Sequence, residues 1–203
     1  MGLPLPPQPV LLLLAAFSRY EEALAWARRQ AAAAWGSIAL ESPKFEFTET
    51  DYYEATMGSR LRKVFFAFVQ PFAPDRLADV KLQTNAWEKE YAALGRHLEP
   101  RPLNLDPGYL AEGKLVLAST KDHAHRIYLG GGIYAEPTLQ YKHRRWQPHP
   151  WTYADYRRED YQQFFSACRD YLHRQLREEQ PRAEGGRRKA EGGKGKVEQG
   201  GAT

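Results

Sequence analysis

Residues 10–36 read VLLLLAAFSRYEEALAWARRQAAAAWG, and this stretch decides the fold class. Val10–Phe17 is a continuous apolar run, the pattern of a strand covered on both faces and so central in its sheet. Ser18, with Glu21 three residues on, spells a capping box, in which side chain and backbone exchange hydrogen bonds to start a helix. The alanine-rich segment Arg19–Trp35 continues that helix, and Gly36 ends it as a C-terminal cap. Tyr20, Leu24, Ala27, Ala31 and Trp35 recur at helical spacing and form its buried face.

Working outward, Ile38–Phe47 reads as a strand interrupted at Pro43, which cannot donate to a ladder. A polar loop carrying Asp51, Tyr52, Tyr53 and Glu54 leads through Gly58 to a strand over Leu61–Phe72. Pro74 then opens a second helix on which Leu77, Val80, Thr84, Trp87, Tyr91 and Leu94 alternate by three and four until Gly95. A short strand over Arg101–Leu105 runs into Asp106-Pro107-Gly108, which reads as a turn. Through Leu105 the order is β-α-β-β-α-β, so the spacing predicts an α+β fold, a ferredoxin-like split β-α-β sandwich. Residues 114–121 fit a buried strand or an apolar helix turn equally well. Beyond them a hairpin over Arg126–Tyr141 turns at Gly130-Gly131-Gly132, with Pro137 marking its second strand as an edge. A basic turn at His143–Arg145 follows. Asp160 and Gln163 form a second capping box, opening a last helix with Tyr161, Phe164, Phe165, Cys168 and Leu172 facing inward.

The 203 residues suit one domain, read here as 10–178, with a Pro-rich extended arm over 1–9 and a disordered tail over 179–203. Residues 181–203 hold six Lys or Arg against three Asp or Glu, so +3 of the net +4 belongs to the tail. The nearly neutral body argues against a duplex-DNA binder, whose affinity comes from neutralising phosphates. The run Val10–Phe17 is far short of the roughly 20 residues of a membrane span, and no basic segment precedes it as in a signal peptide. One cysteine, Cys168, excludes an internal disulfide. A cytoplasmic protein outside the membrane is the expectation.

The stretches FTETDYYEATMG (47–58), NLDPGYL (104–110), STKDHAHRIYLGGGIYAE (119–136) and PWTYADYR (150–157) together resemble a prokaryotic domain-of-unknown-function family, DUF4416. The resemblance runs from about Pro9 to Phe165 and implies no activity, cofactor or catalytic residue. A P-loop would need a Gly-rich run ending in Lys-Ser/Thr, and no such string occurs; Thr120-Lys121-Asp122 likewise lacks the spacer of a guanine-reading motif.

The densest polar stretch is Thr120–Arg126. Lys121, His125 and Arg126 offer three donors within six residues, and Arg126 could clamp a carboxylate or phosphate bidentately. On a strand, His123 and His125 would share a face and make a pair of metal ligands, completed by Asp106 or Glu136. Lys81, Asn85 and Glu88 form a polar stripe on the second helix that reads as a surface Lys–Glu pattern. Trp151, Tyr153 and Tyr156 read as a belt fastening the last helix. The preferred reading is a module binding a small anionic ligand, a nucleotide or phosphorylated metabolite. Its pocket would gather Asp51, Tyr52, Tyr53, Asn104, Asp106, Tyr109, Lys121, His125, Arg126 and Glu136. One alternative is a metal-dependent hydrolase using His123 and His125 with a carboxylate. The other is a structural or interaction domain pairing through the hairpin edge.

Overall fold

A computed structural model describes residues 2–179; apart from its first residue, the tail expected over 179–203 lies outside the described residues. The chain runs β1 (Val10–Ser18), α1 (Glu21–Trp35), β2 (Ile38–Glu41), β3 (Phe45–Phe47), α2 (Glu54–Met57) and β4 (Leu61–Phe72). It continues with α3 (Leu77–Ala93), β5 (Asn104–Ala111), β6 (Lys114–Ser119), β7 (Ile127–Gly130), β8 (Ile133–Lys142), β9 (Arg145–Pro148) and α4 (Glu159–Glu179). Among the described residues the strands form one nine-stranded antiparallel sheet in the order β2-β4-β1-β5-β6-β8-β7. In it β3 lies beside β4, and β9 beside β8.

Every residue of β1 is buried, as a run without polar alternation requires. Leu12, Leu14 and Ala16 face α1 and α3; Leu11, Leu13 and Ala15 face α4. The mixed sheet-and-helix architecture is therefore three layers deep, with helices on both faces. On α4 the expected inward residues Tyr161, Phe164, Phe165, Cys168 and Leu172 are all buried against Phe65 and Leu13. Each fully buried Leu or Phe contributes roughly 2 kcal/mol through lost apolar hydration.

Several local expectations are corrected. Asp106-Pro107-Gly108 is no turn: it lies inside β5, between β1 and β6. Gly108 is required there by crowding, because a Cβ at this position would stand 2.4 Å from the Val116 carbonyl oxygen. Pro107 is tolerated because pairing with β6 begins only at Gly108, leaving residues 104–107 bonded to β1 alone. Residues 114–119 are strand, which resolves the helix-or-strand ambiguity.

Pro137 does not mark an edge either. β8 has β6 on one side and both β7 and β9 on the other. The proline falls where β7 pairing has stopped and β9 pairing has not begun, opposite a register shift in β6. Side chains fill that break: Trp151 Nε1 donates to the Pro137 carbonyl at 2.9 Å, and Thr152 Oγ1 to the Thr138 carbonyl at 2.5 Å. Trp151 is thus tied to β8, and of the expected aromatic belt Tyr156 alone stacks on α4, against Phe165.

Neither capping box forms. Ser18 ends β1, where its hydroxyl accepts from the Tyr20 amide and donates to the Pro102 carbonyl at 2.6 Å. α4 starts at Glu159, and Asp160 in its first turn accepts from Arg158 instead. Leu94, expected on the buried face of the second helix, is exposed past its end.

Candidate functional site

The half of β5 that pairs only with β1 opens a wedge between β5 and β6, and a cavity of about 410 Å³ lies there. Its walls come from the 47–53 segment, α3, residues 101–106, the end of β6 with residues 120–121, and residues 153–156. Asn104 and Asp106, two apart on a strand, share a face, and Asn104 Nδ2 donates to Asp106 Oδ2 at 2.8 Å. The backbone of Leu105, without a β6 partner, is satisfied from α3: its N–H donates to Glu88 Oε1 at 2.7 Å. Its carbonyl accepts from Lys81 Nζ at 2.8 Å. Lys81 and Asn85 therefore line the cavity while Glu88 braces β5 from the same helix, correcting the reading of this stripe as a surface pattern. Lys81, only 5% exposed, also donates to Asp106 Oδ1 at 3.1 Å.

Two further ion pairs line or back the cavity. Lys63 Nζ lies 2.5 Å from Asp155 Oδ2, both buried, with the ammonium 4.5 Å from the Phe47 centroid and 4.8 Å from that of Phe17. Arg126 and Glu136 have side chains 3% and 2% exposed. Arg126 Nε and one Nη meet Glu136; the other Nη donates to Ser119 Oγ and the Lys121 carbonyl, both at 2.8 Å. The remaining hydrogen reaches the Tyr153 hydroxyl at 2.7 Å. All five guanidinium N–H groups are engaged, so Arg126 is a strut joining β6, β8 and the 153 segment, not a free clamp. Arg101 donates to Glu88 Oε2 at 3.0 Å and contacts Asn104 Oδ1.

Lys121 differs. Its ammonium donates to the Tyr52 hydroxyl at 3.1 Å and stands 4.6 Å from the centre of that ring, and among the described residues no carboxylate pairs with it.

These charges set the titration of the site. Burial raises Asp106, but Lys81, Lys63 and Arg101 together hold its carboxyl below the usual range. Burial raises Glu88 above it, against the pull of Lys81 and Arg101. Tyr53, Tyr153 and Tyr156 are pushed up by burial and then by neighbouring carboxylates, so they are neutral hydroxyls. Tyr52 is lowered, chiefly by its hydrogen bond to Lys121, with Arg101 adding to the effect.

Of the residues expected at the site, Tyr52, Tyr53, Asn104, Asp106, Lys121 and Glu136 line this cavity, with Arg126 behind the wall. Asp51 is exposed and takes no part in the lining, and Tyr109 lines a different groove, beside Pro74 and Leu176. His123 and His125 lie in a loop, not on a strand. Their rings stack 5.8 Å apart, and His125 also stacks with Trp151 at 4.8 Å, with Nε2 3.2 Å from Glu136. Among the described residues no group of three His, Cys, Asp or Glu is placed to hold a metal ion.

Lys63, Lys81, Arg101 and Asp155 also line the cavity; the sequence reading placed Lys81 only in a surface stripe and the other three at no site. Lys63 carried a usable signal: it shares strand parity with Leu61, Phe65 and Ala67, so β4 had to bury it.

A family model described as "Domain of unknown function (DUF4416)" matches residues 8–171, and the chain belongs to that family. No curated protein and no solved structure matches it.

Proposed function

We propose that this DUF4416 member binds a small anionic ligand, a nucleotide or a phosphorylated metabolite, in the cavity between β5 and β6. The observation that carries the reading is the pairing pattern of the charges. Lys63, Lys81 and Arg101 each face a carboxylate, whereas Lys121 at the rim has none and is held only by a phenol. An incoming phosphate or carboxylate would supply the charge-assisted partner that Lys121 lacks. The cavity volume of about 410 Å³ falls in the range of about 300–1,000 Å³ usual for small-molecule sites. Buried ion pairs are weak stabilisers, so a cluster of them around one cavity is better accounted for by a binding task than by stability.

The finer fold reading supports the same placement. The order β5-β1-β4-β2, with α1 and α3 as connections on one face, is consistent with a ferredoxin-like split β-α-β unit. On that reading β6–β9 and α4 are additions, and the cavity lies at the junction of unit and addition. The single buried thiol of Cys168 is in keeping with a cytoplasmic setting.

A thermal-shift panel of phosphate and carboxylate compounds, run on wild type and Lys121→Ala, tests the reading. Stabilisation of wild type that is lost in the variant is expected. No stabilisation, or equal stabilisation of both proteins, would refute it.

A further inference from the structure

Resting on the anion-pocket reading, we propose that the ligand is a phosphorylated polyhydroxyl compound of the sugar-phosphate class, not a nucleotide held by base stacking. The aromatic walls are the first ground. Holding a base calls for a bare ring face. Here Lys63 Nζ stands over Phe47 at 4.5 Å and over Tyr156 at 5.1 Å, and Phe165 lies nearly parallel to Tyr156 at 5.9 Å. Tyr52 is engaged by Lys121 at its hydroxyl, and Tyr53 is wedged edge-on between Phe17 and Tyr52, at 4.9 and 5.0 Å. Phe47, Tyr53 and Tyr156 therefore each already have a cation or another ring against them.

The polar interior is the second ground. The pairs Lys63–Asp155 and Lys81–Asp106 cancel their charges, so the depth of the cavity favours a neutral group over a charged one. Each of those carboxylates keeps acceptor capacity beyond its ammonium partner, since an ionised carboxylate has about four lone-pair sites. Asn85, part-buried on the wall, makes no side-chain hydrogen bond within the protein among the described residues. Donors and acceptors interleaved in this way match hydroxyl groups, each of which gives one hydrogen bond and accepts two. The charge asymmetry is the third ground: the uncompensated cation, Lys121, is at the rim, with Arg101 close enough to act on the same Tyr52 hydroxyl. One anionic group at the mouth and a hydroxyl-bearing body inside is the complementary shape.

Titration calorimetry on the full chain tests this with inorganic phosphate, glucose 6-phosphate, ribose 5-phosphate, glucose, and adenosine and guanosine monophosphates. The sugar phosphates are expected to bind about tenfold or more tightly than inorganic phosphate, as added buried hydrogen bonds would give. Lys121→Ala should weaken them about tenfold through loss of a charged contact. Asn85→Ala should weaken the sugar phosphates while leaving inorganic phosphate unchanged. Nucleotides binding more tightly than sugar phosphates, or sugar phosphates no tighter than inorganic phosphate, would overturn the polyhydroxyl assignment and leave the anion pocket standing. Absence of binding by every phosphate compound, or binding indifferent to Lys121→Ala, would overturn both.

Discussion

At Leu14 the sheet carries Phe66 on one side and Pro107 on the other, whereas at Phe17, three residues further along β1, it carries Lys63 and Asn104. The first row is closed by apolar side chains from α1 and α3, with nothing polar to satisfy. The second holds a buried ammonium ringed by aromatics, and beside it a part-buried carboxylate on Asp106. Desolvating such charges costs several kcal/mol each, a cost that apolar residues of similar volume would avoid. The difference between the two rows separates the part of the sheet that holds the fold from the part that lines the cavity.

Lys63→Ala should give the largest effect. It leaves the Asp155 carboxylate buried without a partner, and denaturant unfolding should show a loss of about 3–5 kcal/mol. The double change Lys63→Met with Asp155→Leu should recover most of it; a double variant as unstable as the single one would erase the distinction between the rows. At the apolar row, Leu14→Ala should cost about 2–5 kcal/mol through transfer and cavity terms, and no second substitution across the strand should rescue it.

Gly108→Ala lies at the boundary between the two regions. With a Cβ directed at the Val116 carbonyl, the β5–β6 pairing must shift, at a cost of about 1–3 kcal/mol by the same unfolding measurement. The acid limb of stability sharpens the contrast further. Asp106 has a folded pKa below its unfolded one, so its contribution is complete above the usual carboxylate range and is lost as pH falls through the folded value. The deficit of Asp106→Asn relative to wild type should therefore be largest near neutral pH and shrink in acid. Glu88, raised by burial, has the opposite sign, and Glu88→Gln should steepen the acid loss. Lys121→Ala should change stability by less than about 0.5 kcal/mol, because the side chain is exposed.

The apolar region was legible in the sequence because one physical rule governs it. Val10–Phe17 has no polar alternation, Leu24, Ala27 and Ala31 repeat at helical spacing, and Phe164, Phe165 and Cys168 share one helical face; burial followed in each case. The site was half legible. Tyr52, Tyr53, Asn104, Asp106 and Lys121 stood out as polar and aromatic residues in irregular-looking segments, and they do line one cavity. What local pattern could not show was partnership. Arg126 reads as a free cation until β8 brings Glu136 beside it, and Lys81 reads as solvated until β5 places Asp106 opposite. The Asp-Pro-Gly string carries turn chemistry, which the crowding between β1 and β6 overrides at Gly108.

Amide chemical-shift mapping during titration with glucose 6-phosphate bears most directly on whether the charged row is a ligand site. The account predicts shifts confined to residues around Tyr52, Asn104–Asp106 and Ser119–Lys121, with Leu12–Leu14 unmoved. No shifts, or shifts on the outer face of α4 with those segments silent, would contradict it.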